Sequence, residues 1–284
     1  MSRIAYVSGR YLRHGEASVP IEDRGYQFAD GVYEVIAVHG GKLVDRDPHL
    51  HRLDRSLDEL RIAKPVSDRV LVTILERVVK RNGIRDGIVY LQITRGVAPR
   101  DHAFPIHARP QLVVTARRAK PVDPKLIEQG AAIISIPDQR WARCDIKSVS
   151  LLPNILGKQA AREAGATEAW QVDAQGLVTE GTSSNAWIVT RDGAIVTRPA
   201  SNAILNGITR LVVLEIARES NLELVERAFS VDEVKTASEA FLTSTTSPVV
   251  SVTRIDGVPI GDGMPGPVAQ RLRQRMQRHL AAQA

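Results

Sequence analysis

Residues 32–44 read Val-Tyr-Glu-Val-Ile-Ala-Val-His-Gly-Gly-Lys-Leu-Val. An apolar strand covers 32–38, His39-Gly40-Gly41 makes a glycine turn, and 42–44 is a short return strand. Asp47-Pro48 then has the form of an N-cap followed by proline at the first helical position. Leu50, Leu53, Leu57 and Leu60 recur at helical spacing behind it. A second helix is expected to start near Ser67, to carry Val70, Leu71, Ile74, Leu75, Val78 and Val79, and to stop at Asn82-Gly83. Strands are expected at 88–94 and 111–116. Residues 117–124 (Arg-Arg-Ala-Lys-Pro-Val-Asp-Pro) combine four charges with two prolines and make the best linker.

The second half repeats the mixture. A short apolar run covers 131–136, helices are expected at 154–163 and 208–219, and Ser230-Val231-Asp232-Glu233 is a capping box that opens a short third helix. Strands are expected at 169–173, 186–190, 222–227, 240–243 and 249–255. An arginine-rich helix closes the chain at 268–280, with Val268, Leu272, Met276 and Leu280 on one side. Strands and helices alternate in both halves, so the fold class is α/β (α+β mixed) in two domains. The expected bounds are 1–118, a linker at 119–124, and 125–284.

At 284 residues, 43% hydrophobic and 25% charged, the chain has ordinary globular composition and length for a sizeable core. It carries 38 Lys+Arg against 32 Asp+Glu, and 30 of those cations are arginine. An excess of positive charge points to acidic ligands. The lone cysteine, Cys144, excludes an intrachain disulfide and a multi-cysteine zinc site, and carries no assigned role. No metal is expected. No apolar run is long enough to span a membrane, and the start lacks the apolar core of a signal peptide, so the expected compartment is the cytoplasm. Glycine-rich nucleotide loops, H-E-x-x-H and G-x-S-x-G are all absent: Gly157-Lys158 runs into Gln159, and Gly181-Thr182-Ser183-Ser184-Asn185 fails the last pattern. The cations are scattered and aromatics make up only 4%, which leaves a nucleic-acid-binding protein resting on net charge alone.

Four pieces look chemical. Cys144-Asp145-Ile146-Lys147-Ser148 sets a lysine after an apolar strand. Thr179-Glu180-Gly181-Thr182-Ser183-Ser184-Asn185 sets a carboxylate in a hydroxyl-rich turn between strands. Leu205-Asn206-Gly207-Ile208-Thr209-Arg210 puts a glycine at a helix start, where free amides can hold a phosphate. Thr243-Ser244-Thr245-Thr246-Ser247 is a hydroxyl run just after a strand. Taken singly, each is an ordinary surface lysine, turn, N-cap or polar loop.

Together and in this order, from Gly31-Val32-Tyr33-Glu34-Val35 to the Ser/Thr run, they resemble the fold-type IV pyridoxal-phosphate enzymes. That family holds the D-amino-acid and branched-chain aminotransferases and aminodeoxychorismate lyase. The resemblance implies a smaller N-terminal α/β domain and a larger, β-barrel-like C-terminal one. It implies pyridoxal 5'-phosphate as cofactor, with Lys147 forming the Schiff base and shuttling the proton between Cα and C4′. Part of that amine must then be deprotonated, which burial and a neighbouring cation favour. Glu180 would pair with the pyridine nitrogen and keep it protonated. The phosphate would rest on Gly207, the amides of Ile208 and Thr209, the Thr209 hydroxyl, Ser244, Thr245 and Arg52, and Leu205 would pack on the ring. Arg52 lies off the leucine stripe, and periodicity alone makes it a solvated arginine. Its assignment rests on the match of His49-Leu50-His51-Arg52-Leu53 to the family's H-x-x-R-L segment.

Arg100-Asp101-His102 matches the R-x-H pair that in D-amino-acid aminotransferases joins the tyrosine of G-V-Y-E-V in binding the substrate carboxylate. A guanidinium grips a carboxylate through two parallel hydrogen bonds. Tyr33, Arg100 and His102, with Thr246, are therefore the expected substrate site. In this family the loop carrying the pair reaches a neighbouring subunit, which implies a homodimer with shared sites. The expected reaction moves the amino group of a D-amino acid such as D-alanine to a 2-oxo acid such as 2-oxoglutarate. The rivals are the lyase, a branched-chain L-amino-acid transaminase and a primary (R)-amine transaminase, and the R-x-H pair argues against all three. No nucleic acid or membrane partner is expected.

Overall fold

The computed structural model describes residues 3–120 and 122–284. Met1 and Ser2, part of the start read against a signal peptide, and Pro121, within the expected linker, lie outside the described residues. The chain divides into two compact units near residue 120. They are not two consecutive blocks, as 1–118 and 125–284 implied. Ile146–Ser150, which contains Lys147, and Leu280–Ala284 cluster with the first unit.

The first unit comprises β1 (Ile4–Val7), β2 (Arg10–Arg13), α1 (Arg24–Phe28), β3 (Gly31–His39), β4 (Lys42–Leu43), α2 (Arg46–Glu59), α3 (Asp68–Arg81), β5 (Gly87–Thr94) and β6 (Gln111–Arg118). Its six-stranded sheet runs β2-β1-β6-β5-β3-β4, every pairing antiparallel. The expected hairpin is present and tighter than read. Val38 pairs Leu43 and His39 pairs Lys42, which leaves only Gly40 and Gly41 in the turn. Their φ values of 58° and 88° suit a two-residue hairpin turn and explain the glycines.

Alternation along β3 buries Val32, Glu34, Ile36 and Val38 on one face. That face packs with Leu50, Leu53 and Leu57 of α2 and with Leu71, Ile74, Leu75, Val78 and Val79 of α3. Full burial of one such side chain is worth about 1.5–3 kcal/mol.

Two expectations need correction. Val70 is 46% exposed, because it sits one step round the helix from the buried Leu71 row. Asp47 is not the N-cap of α2. Asp45 takes that place with φ 49°, and its amide and carboxylate both bond Gln283 at 2.8 Å. Asp47 instead falls in the first turn and pairs with Arg46.

The second unit comprises α4 (Pro124–Gln129), β7 (Ala131–Pro137), α5 (Leu152–Glu163), β8 (Glu168–Val172), β9 (Val178–Gly181), β10 (Asn185–Val189), β11 (Ile195–Thr197), α6 (Ile208–Glu219), β12 (Leu224–Glu226), α7 (Val231–Thr236), β13 (Glu239–Thr243), β14 (Val250–Ile255), β15 (Val258–Pro259) and α8 (Pro267–Ala282). Its nine-stranded mixed sheet follows β12-β11-β10-β13-β14-β7-β8-β9, with β15 beside β14. The hydrogen-bonded path is open. Its last strand turns back toward β10 where Gly181 N donates to Ser184 O. Trp170, Phe229, Ile188 and Leu242 fill the core.

Ser230 accepts from Glu233 N, the first half of the expected capping box. The other half is absent, since the Glu233 carboxylate pairs with Arg227. On α8 the buried row is Ala269, Leu272 and Met276, while Val268 and Leu280 are only half-buried.

Candidate active site

Lys147 owes its place to β3. Strand β4 covers only the far end of that strand's edge, which leaves the amides and carbonyls of Gly31–Tyr33 to find partners. Residues 147–149 supply them. Tyr33 N donates to Lys147 O and Val149 N to Gly31 O, both at 3.0 Å, around an antiparallel bridge between Val32 and Ser148. Lys147 N in turn donates to Ser56 Oγ on α2. Ile146 anchors the segment in the first unit's core. The Lys147 Nζ lies 4.3 Å from the centre of the Tyr33 ring, which stacks on Tyr90 at 5.7 Å. No carboxylate pairs with Lys147 among the described residues.

Arg52 is buried, not solvated. Glu34 stands on the inner face of β3, a carboxylate amid apolar side chains, and such a charge survives only if paired. Arg52 donates Nε to one of its oxygens and Nη2 to the other, each at 2.8 Å, and His49 Nδ1 lies 2.8 Å from Oε2. Burial alone would raise the Glu34 carboxyl, but Arg52 and then His49 outweigh it and hold it down at about 2. Burial keeps His49 below its ordinary value. The ring is therefore neutral at neutral pH, with Nδ1–H donating to Glu34 and Nε2 left as an acceptor. His49, Arg52 and Ser56, spaced i, i+3, i+7, form a buried polar row beside the leucine row. A count of apolar residues passes over such a row.

Arg100 and His102 lie on an exposed segment of the first unit. Both sit against Phe28, with the Arg100 guanidinium 4.6 Å from the ring centre and the His102 ring at 5.4 Å. No hydrogen bond or ring contact joins either of them to Tyr33 or Lys147 among the described residues.

In the second unit Thr179 and Glu180 belong to β9, and only Thr182 to Ser184 turn, so the expected turn is shorter than read. Glu180 is 6% exposed. It accepts from the Arg140 guanidinium, from Asn185 Nδ2 at 3.1 Å, and from Leu205 N at 3.1 Å. Arg140 is gripped by Asp138 through Nε at 2.9 Å and Nη2 at 2.7 Å, and donates further to Thr179 Oγ1 and Ala203 O. Burial would weaken the Arg140 charge, but Asp138 and Glu180 push its pKa well above the ordinary arginine value. Asp138, favoured as the anion by Arg140 and Thr179, stays below its usual range despite burial. The Glu180 carboxylate is thus fixed by a permanent cation on one side. Breaking such a buried pair costs about 3–5 kcal/mol.

The sequence reading missed Asp138, Arg140 and Asn185. Arg140 lies 40 positions from its partner, so only tertiary structure joins them.

Gly207 is the N-cap of α6, with no side-chain acceptor on the first amides of the helix. A Cβ there would stand 2.2 Å from Asn185 Oδ1, so a larger residue would have to displace the Asn185 amide. Asn185 also donates to Leu205 O. It therefore ties the Glu180 carboxylate to the segment that leads into the helix. Ser244 folds its own loop, bonding Ser247 N through Oγ, while Thr245 is half-buried and Thr246 exposed. Cys144 sits beside Trp141 O, and burial pushes its thiol up to about 11, which makes it inert at neutral pH.

Each unit by itself offers groups suited to part of a cofactor that carries an aldehyde, a ring nitrogen and a phosphate. Lys147 offers an amine without a carboxylate partner, and Glu180 a fixed buried carboxylate. The α6 start offers amides without a side-chain cap beside a glycine that lies against the Asn185 amide.

The model of the class IV amino-transferase family matches residues 31–255. The chain is 45% identical to the D-alanine aminotransferase of Bacillus licheniformis, over 97% of this chain and 96% of that one. It is 40% identical to the D-alanine aminotransferase of Staphylococcus aureus (strain N315), over 97% of each. Among solved structures, the T.th. branched-chain amino acid aminotransferase with pyridoxamine 5'-phosphate superposes with a TM-score of 0.92 at 26% identity, over 100% of this chain and 96% of that one. The 4-amino-4-deoxychorismate lyase of Pseudomonas aeruginosa superposes with a TM-score of 0.84 at 24% identity, over 96% and 98%, a likeness of fold. The matched span holds both the Lys147 segment and the Glu180–Gly207 network, and the chain belongs to the class IV aminotransferases, enzymes that depend on pyridoxal phosphate.

Proposed function

We propose that the protein is a D-amino-acid transaminase that passes the amino group of a D-amino acid such as D-alanine to a 2-oxo acid such as 2-oxoglutarate, in two alternating half-reactions. The observation that carries this reading is the 45% identity to a D-alanine aminotransferase over nearly the full length of both chains. The branched-chain structure shares 26%. The cofactor supplies an aldehyde that exchanges amino groups and a ring that stores the electrons released at the substrate Cα. The Lys147 Nζ would hold the cofactor through its aldehyde and, once freed by the incoming amine, would carry the proton that leaves the substrate Cα. Glu180, oriented by Arg140 and Asn185, would face the ring nitrogen and favour its protonated form. The amides of Ile208 and Thr209 beside Gly207, the Thr209 hydroxyl, Ser244, Thr245 and Arg52 would hold the phosphate, and Leu205 would cover the ring face. Glu34 orients Arg52 through both of its bonds. Tyr33, Arg100, His102 and Thr246 receive the substrate carboxylate.

A panel of D- and L-amino acids with 2-oxoglutarate and pyruvate as acceptors tests the substrate assignment. D-alanine with 2-oxoglutarate is expected to give pyruvate, with L-leucine at least roughly a hundredfold poorer, because the wrong enantiomer misaligns the Cα–H bond. Turnover confined to L-leucine would move the protein to the branched-chain group.

The working unit in this reading is a homodimer, in which Arg100 and His102 serve the partner's site. Their exposure, and the lack of any bond from them to Tyr33 or Lys147 in the same chain, favour it. Mixed and reassociated Lys147→Ala and Arg100→Ala chains then give heterodimers in which one site carries both defects and the other none. Activity should return to roughly a quarter of wild type, as random pairing of two chains dictates. Two inactive variants that stay inactive after mixing would show that each site is built from one chain. With no helix long and apolar enough to cross a membrane among the described residues and a single cysteine, we assign the protein to the cytoplasm.

A further inference from the structure

The segment that carries Arg100 and His102 has no regular secondary structure, yet it is tied down at several points. Asp30 lies just before β3, and its side chain is 11% exposed. Two guanidiniums share it. Arg24 gives Nε to Oδ2 at 2.8 Å, and Arg95 gives Nε to Oδ2 at 2.7 Å and Nη2 to Oδ1 at 3.0 Å. Both arginine side chains are nearly as buried as the core. Two cations on one carboxylate leave a surplus positive charge, and backbone carbonyls absorb it. Arg95 turns its remaining donors to Arg61 O and Leu60 O. Arg24 turns its own to the loop: Nη1 to Asp101 O at 2.6 Å and Nη2 to His102 O at 3.4 Å.

The side chains repeat the arrangement. Phe28 has the Arg24 guanidinium at 4.8 Å and the Arg100 guanidinium at 4.6 Å, with the His102 ring at 5.4 Å. Phe104, on the far side of the pair, has Arg95 at 3.6 Å and Arg61 at 5.1 Å. The base of the device is rigid. Asp23 caps α1 through Gly25 N and accepts from Thr94 Oγ1, and Arg24 N donates to Gly96 O. The fork of a guanidinium reaches a carboxylate and two carbonyls at once, which a lysine ammonium does not.

We propose that Arg24, oriented by Asp30 and backed by Phe28, is a positioning residue for substrate: it fixes residues 100–102 so that Arg100 and His102 meet the carboxylate of the amino acid already ordered. The inference rests on the assignment of Arg100 and His102 as carboxylate ligands. A loop already held does not have its ordering charged against binding, so the effect appears in substrate affinity.

The test is a double-mutant cycle on the holoenzyme with Arg24→Gln and Arg100→Ala, read as KM and kcat for D-alanine. Alongside it run the cofactor's visible absorption and hydrogen exchange at the amides of 98–104. Arg24→Gln should raise KM about tenfold with kcat within about threefold of wild type. Exchange in the loop should be faster and the cofactor band unchanged. Because Arg24 acts through Arg100 and His102, Arg24→Gln should cost clearly less in the Arg100→Ala background than in the wild type. Arg24→Lys should recover only part of the loss. Phe28→Leu, which keeps apolar bulk and removes the ring that Arg100 faces, should show the same KM-selective defect and serves if Arg24→Gln does not fold. Additive losses in the double variant, or a fall in kcat together with the cofactor band, would overturn the inference. A silent Arg24→Gln beside a damaging Arg100→Ala would overturn it while leaving the carboxylate ligands standing. A silent Arg100→Ala would remove both.

Discussion

Lys147→Ala should be colourless in the visible range and should lose at least about 10⁴-fold in kcat/KM, the upper end of what a positioned proton carrier supplies and about 5 kcal/mol of barrier. The loss is expected at that end because in the proposed mechanism one side chain serves twice, as the amine that holds the aldehyde and as the carrier of the Cα proton. Folding should change little. The ties that seat this segment are main-chain ones, Lys147 O to Tyr33 N and Lys147 N to Ser56 Oγ, and alanine keeps both. A melting temperature close to that of the wild-type apoprotein is the accompanying expectation. Lys147→Arg separates charge from chemistry. It retains a cation for the Tyr33 ring but does not deprotonate, so it should be as inactive as alanine. Turnover within tenfold of wild type in either variant, at full cofactor occupancy, would remove Lys147 from the mechanism.

Legibility in the sequence follows physical range. The hairpin at 32–44 and the helices at 68–81 and 208–219 are readable because their signals are local: alternation, a 3.6-residue period, and glycine where φ turns positive. The N-cap of α2 is not, because Asp45 is settled by Gln283, far away in sequence. Short elements such as β1, β2, β11 and α1 carry too few residues to show a period, and α1 begins with an arginine whose burial depends on Asp30.

The same division runs through the candidate residues. Lys147, Glu180 and Gly207 are legible as a pattern of segments. What fixes them is not. Glu34 reads as a break in an apolar strand until Arg52 and His49 are seen on the helix above it. The division into consecutive domains fails for a related reason, since the unpaired edge of β3 captures Lys147 from a part of the chain otherwise belonging to the second unit.

Glu180→Gln should retain the cofactor and its visible band while the exchange of the D-alanine Cα proton with solvent slows by about 10²–10³-fold, the magnitude usual for removal of one pre-aligned electrostatic partner. Retention is expected because in the proposed arrangement the aldehyde and phosphate are held by other residues, Lys147 and the Gly207 helix start. The exchange step is singled out because a neutral amide gives the ring nitrogen no reason to keep its proton, and the electrons left at Cα then have no sink. Part of the response will be structural. A carboxylate that accepts from Arg140, Asn185 and Leu205 at once becomes an amide whose NH2 faces a donor on at least one of those sides, a mismatch of about 1–3 kcal/mol. Arg140 is not stranded, because Asp138 continues to hold it through two bonds, so the variant should fold with a lowered melting temperature. Measuring exchange per mole of bound cofactor separates that loss from catalysis. An exchange rate within threefold of wild type on that basis would leave Glu180 a structural partner of Arg140 and nothing more.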